Sequence, residues 1–315
     1  MLERPLKVAF QMDIMQTVNI DGDSTFVLML EAQKRGYELW HYLVEDLSYQ
    51  DGCVTAAARP VSVQRKHGDH YEFGAEKTLD LRKVDVIWMR QDPPFDMAYI
   101  TATHLLDLIA DDTLVLNNPA EVRNAPEKLF VTRFQDLMPA TLITRREDEV
   151  RAFREKHGDI IVKPLYGNGG AGVFHLRKDD SNLSSLMEMF LEASAEPVMV
   201  QEFLPEVVRG DKRIILVNGE AVGAVNRVPA TGEIRSNLVA GGAAEPSRLT
   251  EREQEICDRL KPELKKRGLL FVGIDVIGDW LTEINVTSPT GLQAINRFDG
   301  VKLESTIWDA VEVAL

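Results

Sequence analysis

The chain is poor in cysteine: Cys53 and Cys257 are the only two in 315 residues, with no CxxC and no Cys/His ligand spacing. That argues against a structural zinc module or a disulfide framework and suits a reducing compartment. The six histidines form no HExxH, no serine sits in a nucleophile elbow, and no Walker A sequence occurs. Zinc, serine and cysteine hydrolase chemistry and a P-loop fold thus lack their usual signatures. No apolar run approaches the roughly 20 residues of a membrane helix. Charges flank the short run from Val8 to Phe10, so a signal peptide is not supported. Basic residues are also in deficit, 36 Lys plus Arg against 50 Asp plus Glu, for a net charge of -14. Such a surface repels polyanions, which disfavours nucleic acid or an anionic membrane as partner and leaves any anionic ligand dependent on a local basic pocket. A cytoplasmic protein of two or three packed lobes is expected.

The pattern that is present alternates strands and helices. An apolar run at 6–12 leads to a helix capped by Asp23 or Ser24 and stopped at Gly36. Strands are expected at 38–43, 84–89 and 114–116 and a helix at 97–110, which together describe an open α/β lobe with a mainly parallel sheet. A boundary near residue 122 follows, giving domains 1–122 and 123–315, the second divided into 123–203 and 204–315. Thr144 and Glu147 have capping-box spacing and open a helix that ends at Gly158. Strands at 160–163, 173–176 and 197–203 follow, with a helix at 181–193. Asn218-Gly219 is a two-residue hairpin signal, and antiparallel sheet dominates the remainder. The Gly-, Ala- and Pro-rich stretch 229–247 is too long for an ordinary connection and reads as a mobile functional loop.

Gly167 to Gly172 matches GxGxxG, but the residues after it are a short β-prone run rather than a helix. This excludes a dinucleotide-binding turn and leaves strand, glycine loop, strand, a hairpin able to lay backbone N–H groups over phosphates. Taken alone it is an ordinary turn. Lys163 at the end of the preceding strand could reach the same anion. Asp275 on one strand, and Glu283 and Asn285 two apart on the next, offer oxygen ligands on one face, as a magnesium ion requires; a half-exposed polar hairpin face would show the same pattern. Parity sets a condition, because a two-residue Gly278-Asp279 turn would put Asp275 opposite Thr282. A three-residue loop, Gly278 to Trp280, would put it opposite Glu283, so an odd-length loop is expected. Arg90, Arg213, Arg227 and Arg235 suit bidentate carboxylate binding.

The segments Met89-Arg90-Gln91-Asp92-Pro93-Pro94-Phe95, Glu127-Lys128-Leu129-Phe130, Val162-Lys163-Pro164 with its glycine loop, and Gly210-Asp211-Lys212-Arg213 occur together with the runs from Phe271 to Asp275 and from Leu281 to Thr290. This combination closely resembles bacterial-type glutathione synthetase, of the ATP-grasp superfamily, from the first strand to the C-terminus. The resemblance implies an N-terminal open α/β lobe followed by an ATP-grasp fold with antiparallel sheets. It implies ATP as co-substrate, held by Lys128, Lys163, Gly167, Asn168, Gly169, Gly170, Gln201, Glu202, Phe203, Leu204 and Asp211. Magnesium, with manganese as an alternative, falls to Asp275, Glu283 and Asn285. The dipeptide substrate falls to Arg90, Arg213, Arg227, Arg235, Ser288 and Thr290.

The implied reaction joins γ-glutamylcysteine to glycine through an acyl phosphate, releasing ADP and phosphate, with Arg213 as the cation that stabilises the tetrahedral oxyanion. Residues 229–242 would close as a lid over the acyl phosphate. The implied partners are small molecules only, and the protein is a homo-oligomer by the same resemblance. Two other readings stand beside it: another ATP-grasp carboxylate–amine ligase, such as a D-alanine–D-alanine or peptide–amino acid ligase, and a nucleotide-binding regulator without turnover.

Overall fold

The computed structural model describes residues 4–167, 169–230, 232–233, 235–236 and 242–315. The first lobe is built on β1 (Lys7–Gln11), whose fully apolar centre is flanked on both sides by parallel neighbours, β2 (Glu38–Tyr42) and β7 (Val86–Met89), with β8 (Leu114–Leu116) outside β7. Between β1 and β2 runs α1 (Ser24–Lys34). The Asp23 carboxylate accepts from Phe26 N at 2.7 Å to cap it, and Gly36, at φ 81°, releases the chain.

The parallel sheet does not stop at β2. β3 (Leu47–Gln50), β4 (Cys53–Val63), β5 (Tyr71–Phe73) and β6 (Lys77–Asp80) extend it, the long β4 pairing antiparallel with β2, β3, β5 and β6, an extension the sequence reading left out. The alternating burial along β4 is the half-buried strand signature. α2 (Met97–Asp107) and α3 (Pro119–Asn124) complete the lobe, α2 ending three residues short of its expected length.

A second, smaller lobe contains β9 (Thr141–Thr144), α4 (Glu147–His157), β10 (Ile160–Pro164), β11 (Phe174–Leu176), α5 (Leu183–Ala193) and β12 (Val198–Glu202), with its sheet in the order β11-β10-β12-β9, all antiparallel. Thr144 does not form the expected capping box. Arg146 is the N-cap of α4 without a side-chain bond, while the Thr144 hydroxyl accepts from Arg146 N at 3.0 Å and donates to Glu149. Gly158 ends the helix as expected, at φ 83°.

The third lobe is a five-stranded antiparallel sheet in the order β15-β14-β13-β16-β17, formed by β13 (Asp211–Val217), β14 (Glu220–Val228), β15 (Ala243–Pro246), β16 (Phe271–Ile277) and β17 (Trp280–Asn285). Val217 faces Glu220 across the Asn218-Gly219 turn, whose φ values of 48° and 75° are those the dipeptide signalled. One face packs on α6 (Glu251–Lys266) through Ile256, Cys257, Leu260 and Leu264; part of the other packs on α7 (Leu292–Asp299) and α8 (Leu303–Ala314).

The first and third lobes share their cores. Trp88, Phe271 and Trp308 stack edge to face at 6.4 and 5.8 Å, all nearly fully buried, and Trp308 Nε1 donates to Leu28 O. Each such ring contributes on the order of 2–3 kcal/mol by burial. Asn117 adds a polar staple at the end of β8, donating to Phe271 O and Val286 O and accepting from Phe271 N at 2.7–2.9 Å. Among the described residues no helix is long and apolar enough to cross a membrane.

Candidate active site

Strand register gathers the chemistry onto one face of the third sheet. Asp211 lies opposite Arg227, Arg213 opposite Asp275, and Asp275 opposite Glu283, with Asn285 two residues further along β17. The Asp275–Glu283 pairing is the one expected; the turn that achieves it is not. Ile277 pairs with Trp280 across a two-residue Gly278-Asp279 turn, and the register then shifts between Asp275 and Val276, so that Thr282 is the extra residue of a β-bulge. The odd residue needed to turn Glu283 toward Asp275 sits in the ladder rather than in the loop. Thr282 Oγ1 donates to Asp275 O at 3.1 Å and holds the bulge.

The buried charges on this face form a continuous network. Asp275 accepts from Arg213 Nε at 2.5 Å and Nη2 at 2.9 Å, and from Arg227 Nη2 at 3.0 Å. Burial alone would raise its pKa, but the Arg213 and Arg227 guanidiniums hold it well below the usual carboxylate range. Gly273 makes room for this pairing, since a Cβ there would stand 2.9 Å from Pro289 Cβ and 3.1 Å from Arg213 Cδ. Arg213 Nη1 also donates to Thr290 O at 3.3 Å. Asp211 accepts from Arg227 at 2.6 Å and from the Ser236 hydroxyl at 3.0 Å through Oδ2, while its buried Oδ1 has no partner among the described residues. Burial lifts its pKa to about 6 despite Arg227.

Two lysines face this network from outside the sheet. The segment 127–137 runs along the free edge of β17, with Glu127 O accepting from Ile284 N and Leu137 O from Leu281 N. That edge pairing sets Lys128 beside Glu283, at 3.5 Å, and Lys128 Nζ also donates to Gly167 O at 2.7 Å and to Glu127. Lys163, at the end of β10, reaches Glu283 at 3.7 Å across the cleft. Burial lowers the Lys163 pKa. For Lys128 burial acts the same way, but Glu283 and Glu127 outweigh it and the pKa is raised. Burial and the neighbouring Glu283 push the Glu127 pKa up to about 7.

One cleft takes in nearly all the candidate residues. Lys128, Lys163, Gly167, Gly169, Gly170, the run from Gln201 to Leu204, Asp211, Arg213, Arg227 and Arg235 line it, as do Asp275, Glu283, Asn285, Ser288 and Thr290. Asn168 lies outside the described residues, and so does much of the expected lid: residues 231, 234 and 237–241. Of the rest of that loop, Arg235 pairs with Glu233 and Ser236 is buried against Asp211. Arg90 departs from the expected arrangement. It is buried beside the cleft rather than lining it, with Nε donating to Thr25 Oγ1, Nη2 to Pro289 O, and Nη1 unpartnered among the described residues. Among the lining residues not singled out from sequence are Asp92, Glu127 and Ser236. Asp92 and Glu127 stand in the motifs of Arg90 and Lys128, and Ser236 stands in the expected lid.

Asp275, Glu283 and Asn285 are a hard-oxygen donor set, with Asn285 Nδ2 3.4 Å from Asp275 Oδ2. Among the described residues no three His, Cys, Asp or Glu side chains form a closed metal cage. The donor chemistry, with the unpartnered Asp211 Oδ1 nearby, fits an ion that completes its shell with ligand phosphate oxygens, as magnesium commonly does.

Two family models match the chain: the prokaryotic glutathione synthetase N-terminal domain over residues 6–123 and the prokaryotic glutathione synthetase ATP-grasp domain over 127–300. The glutathione synthetase of Brucella melitensis is 59% identical over 307 residues, covering 98% of each chain. That of Agrobacterium fabrum is 58% identical over 305 residues, 97% of this chain and 96% of the relative. Among solved structures, a D-cycloserine synthetase superposes with a TM-score of 0.68 at 14% identity, over 97% of this chain and 99% of the other. An ATP-grasp ligase complexed with its minimal precursor gives 0.65 at 18% identity, over 99% of both chains. At these identities the two structures establish the fold alone.

Proposed function

The chain belongs to the prokaryotic glutathione synthetases, ATP-dependent ligases that join γ-glutamylcysteine to glycine, and we propose that its cleft residues divide that reaction as follows. Lys128 and Lys163 hold the phosphates under the glycine loop that runs from Gly167 to Gly172. The run from Gln201 to Leu204 lines the adenine pocket, and Asp211 belongs to the same nucleotide side. Arg213, Arg227, Arg235, Ser288 and Thr290 hold the dipeptide, with Arg90 as the buried support of that subsite. Asp275, Glu283 and Asn285 would hold magnesium or manganese, which when bound supplies Lewis-acid neutralisation of phosphate charge.

A carboxylate is a poor electrophile, so the cysteinyl carboxylate oxygen first attacks the γ-phosphoryl group, the bond to ADP breaks, and an acyl phosphate forms. The two ammonium groups offset the charge that gathers on the transferring phosphoryl oxygens. The glycine amine then attacks the acyl carbon, losing a proton as phosphate leaves and the amide remains. Arg213, fixed by Asp275 and Thr290, is positioned to stabilise the oxyanion of that adduct. The loop carrying Arg235 and Ser236 covers the acyl phosphate against water. The two free cysteines fit a reducing cytoplasm.

The observation that carries this division is the double reach of Lys128, whose Nζ bonds Gly167 O at 2.7 Å and stands 3.5 Å from Glu283. One ammonium thereby joins the phosphate loop to the candidate metal strand. The test is incubation with ATP, magnesium, γ-glutamylcysteine and glycine, reading ADP release and product mass. Glutathione appears in step with ADP; a folded protein that releases neither overturns the reading.

A further inference from the structure

The glycine loop is tied to the first lobe by an aromatic pair that the reaction above does not use. Tyr166, immediately before Gly167, stacks on Phe95 with ring centroids 6.2 Å apart and planes 20° from parallel, and Phe95 in turn packs on Tyr99 of α2 at 5.1 Å. Tyr166 is 38% exposed, so the contact contributes little to the core. Its placement is what matters. Tyr166 belongs to the second lobe and Phe95 to the first, and together they line a small cavity that shares Pro93, Glu127, Gly167 and Thr287 with the main cleft.

The segment that bears Phe95 is short and stiff. It leaves β7 at Met89 and enters α2 at Met97, with Asp96 as the helix cap. Arg90 stands at one end and Phe95 at the other. Asp92 and Pro93 line the cleft between them, and the two consecutive prolines, Pro93 and Pro94, fix φ and remove two backbone donors. A displacement at the Arg90 end is therefore carried to Phe95 rather than absorbed. On the loop side, the base is equally constrained. A Cβ on Gly167 would stand 2.7 Å from Pro164 Cγ, and Gly167 O is held by Lys128 at 2.7 Å.

We infer that Phe95 and Tyr166 form a clasp that couples occupancy of the dipeptide subsite to the glycine loop, making both positioning residues for phosphate closure; this rests on the ligase reading above. Each ligand then tightens the other, because reciprocity is required of any coupling between two binding sites. Tyr166→Ala and Phe95→Ala remove the coupling without removing a ligand contact, and Tyr166→Phe preserves it because stacking needs the ring and not the hydroxyl.

The experiment is calorimetric titration of the full-length protein with a non-hydrolysable ATP analogue and magnesium, with and without saturating γ-glutamylcysteine. In the parent protein the dipeptide tightens the analogue by about five-fold or more. In Tyr166→Ala and in Phe95→Ala the factor falls to about one, the double variant is no worse than either single one, and the analogue alone binds within about three-fold of the parent. Tyr166→Phe behaves as the parent. In turnover the alanine variants release more ADP per glutathione, since an ill-closed loop exposes the acyl phosphate to water. An unchanged factor in either alanine variant, or a factor lost in Tyr166→Phe, overturns the clasp. So does a parent protein that makes glutathione yet shows no coupling, and that outcome leaves the ligase reading standing.

Discussion

The second lobe and the body formed by the first and third lobes use the same kinds of element but join their neighbours differently. In the body, buried side chains from both lobes mix in single clusters: Ile87 and Met89 with Ile214 and Leu260, Trp88 and Phe10 with Phe271 and Trp308. The second lobe keeps its own core of Val150, Ile160, Val162, Leu176, Leu183, Leu186, Met187, Val198 and Val200, none of them shared with the body. The contacts that cross from it to the body at the cleft include Lys128 to Gly167, Lys163 to Glu283 and Phe95 to Tyr166. The difference teaches that the residues proposed for the dipeptide and the metal ride on a sealed frame, while the glycine loop rides on a separable unit held by the groups proposed to engage the nucleotide.

The largest expected effect breaks the frame's own charge network. Arg213→Met should lower kcat by about 10²–10³, the cost of one oxyanion donor, and destabilise the body by about 3–5 kcal/mol because Asp275 loses a buried partner. Adding Asp275→Asn should restore the melting temperature but not turnover. A double variant recovering both would reduce Arg213 to a structural role. Next, Glu283→Gln should cost at least the roughly 10–100-fold that even outer partners of a bound ion cost, and raise the magnesium concentration needed for half-maximal rate, with the fold intact. Near-normal magnesium dependence would remove Glu283 from the metal set.

A smaller and more discriminating pair of variants tests the separation of the cores. Leu260 in α6 and Leu183 in α5 are both almost fully buried, and truncation of either to alanine should cost about 2–5 kcal/mol. The consequences should differ in place. Leu260→Ala lowers the global transition, whereas Leu183→Ala selectively speeds amide exchange in β10 and β12 and leaves β13 and β16 protected. Non-hydrolysable nucleotide should then recover much of the Leu183→Ala loss and little of the Leu260→Ala loss, since a ligand stabilises by linkage the unit it holds folded. Uniform loss of protection in Leu183→Ala would mean one cooperative unit.

Much of this was legible in the chain because local rules decide it. The parallel strands, the Asp23 cap, the Asn218-Gly219 hairpin and the strand–loop–strand around Gly167 follow from period, cap and turn chemistry. The face shared by Asp275 and Glu283 followed from parity, yet parity alone cannot say whether the extra residue lies in the turn or in a bulge at Thr282. The strands from β3 to β6 were missed although β4 alternates along its length, because Thr55, Arg59 and Ser62 interrupt its apolar residues and leave no long apolar run. Arg90 was given to the substrate on the strength of its motif, while its burial against Thr25 and Pro289 depends on contacts 65 and 199 residues away. The fusion of the first and third cores is of the same kind: an apolar face is visible in sequence, its partner is not.

The two cysteines give the smallest and cleanest test of the sealed frame. Cys53 is half-buried at the start of β4, and Cys257 is fully buried in α6 beneath the third sheet. Burial, with Asp258 and Glu253 nearby, pushes the Cys257 thiol up to about 12, so the folded protein holds almost no thiolate there near neutrality. The unfolded chain, with an ordinary thiol, loses its proton first. Between about pH 9 and 12 the folded state therefore binds more protons than the unfolded one, and this group's contribution to stability falls as pH rises through that window. A disulfide reagent should label Cys53 quickly and Cys257 only through opening of the body. Since labelling then occurs in the open state, its rate should climb with pH and level near the ordinary thiol value rather than near 12. Leu260→Ala should accelerate it; Leu183→Ala, confined to the separate lobe, should not. Equal acceleration by both would erase the distinction between the two regions.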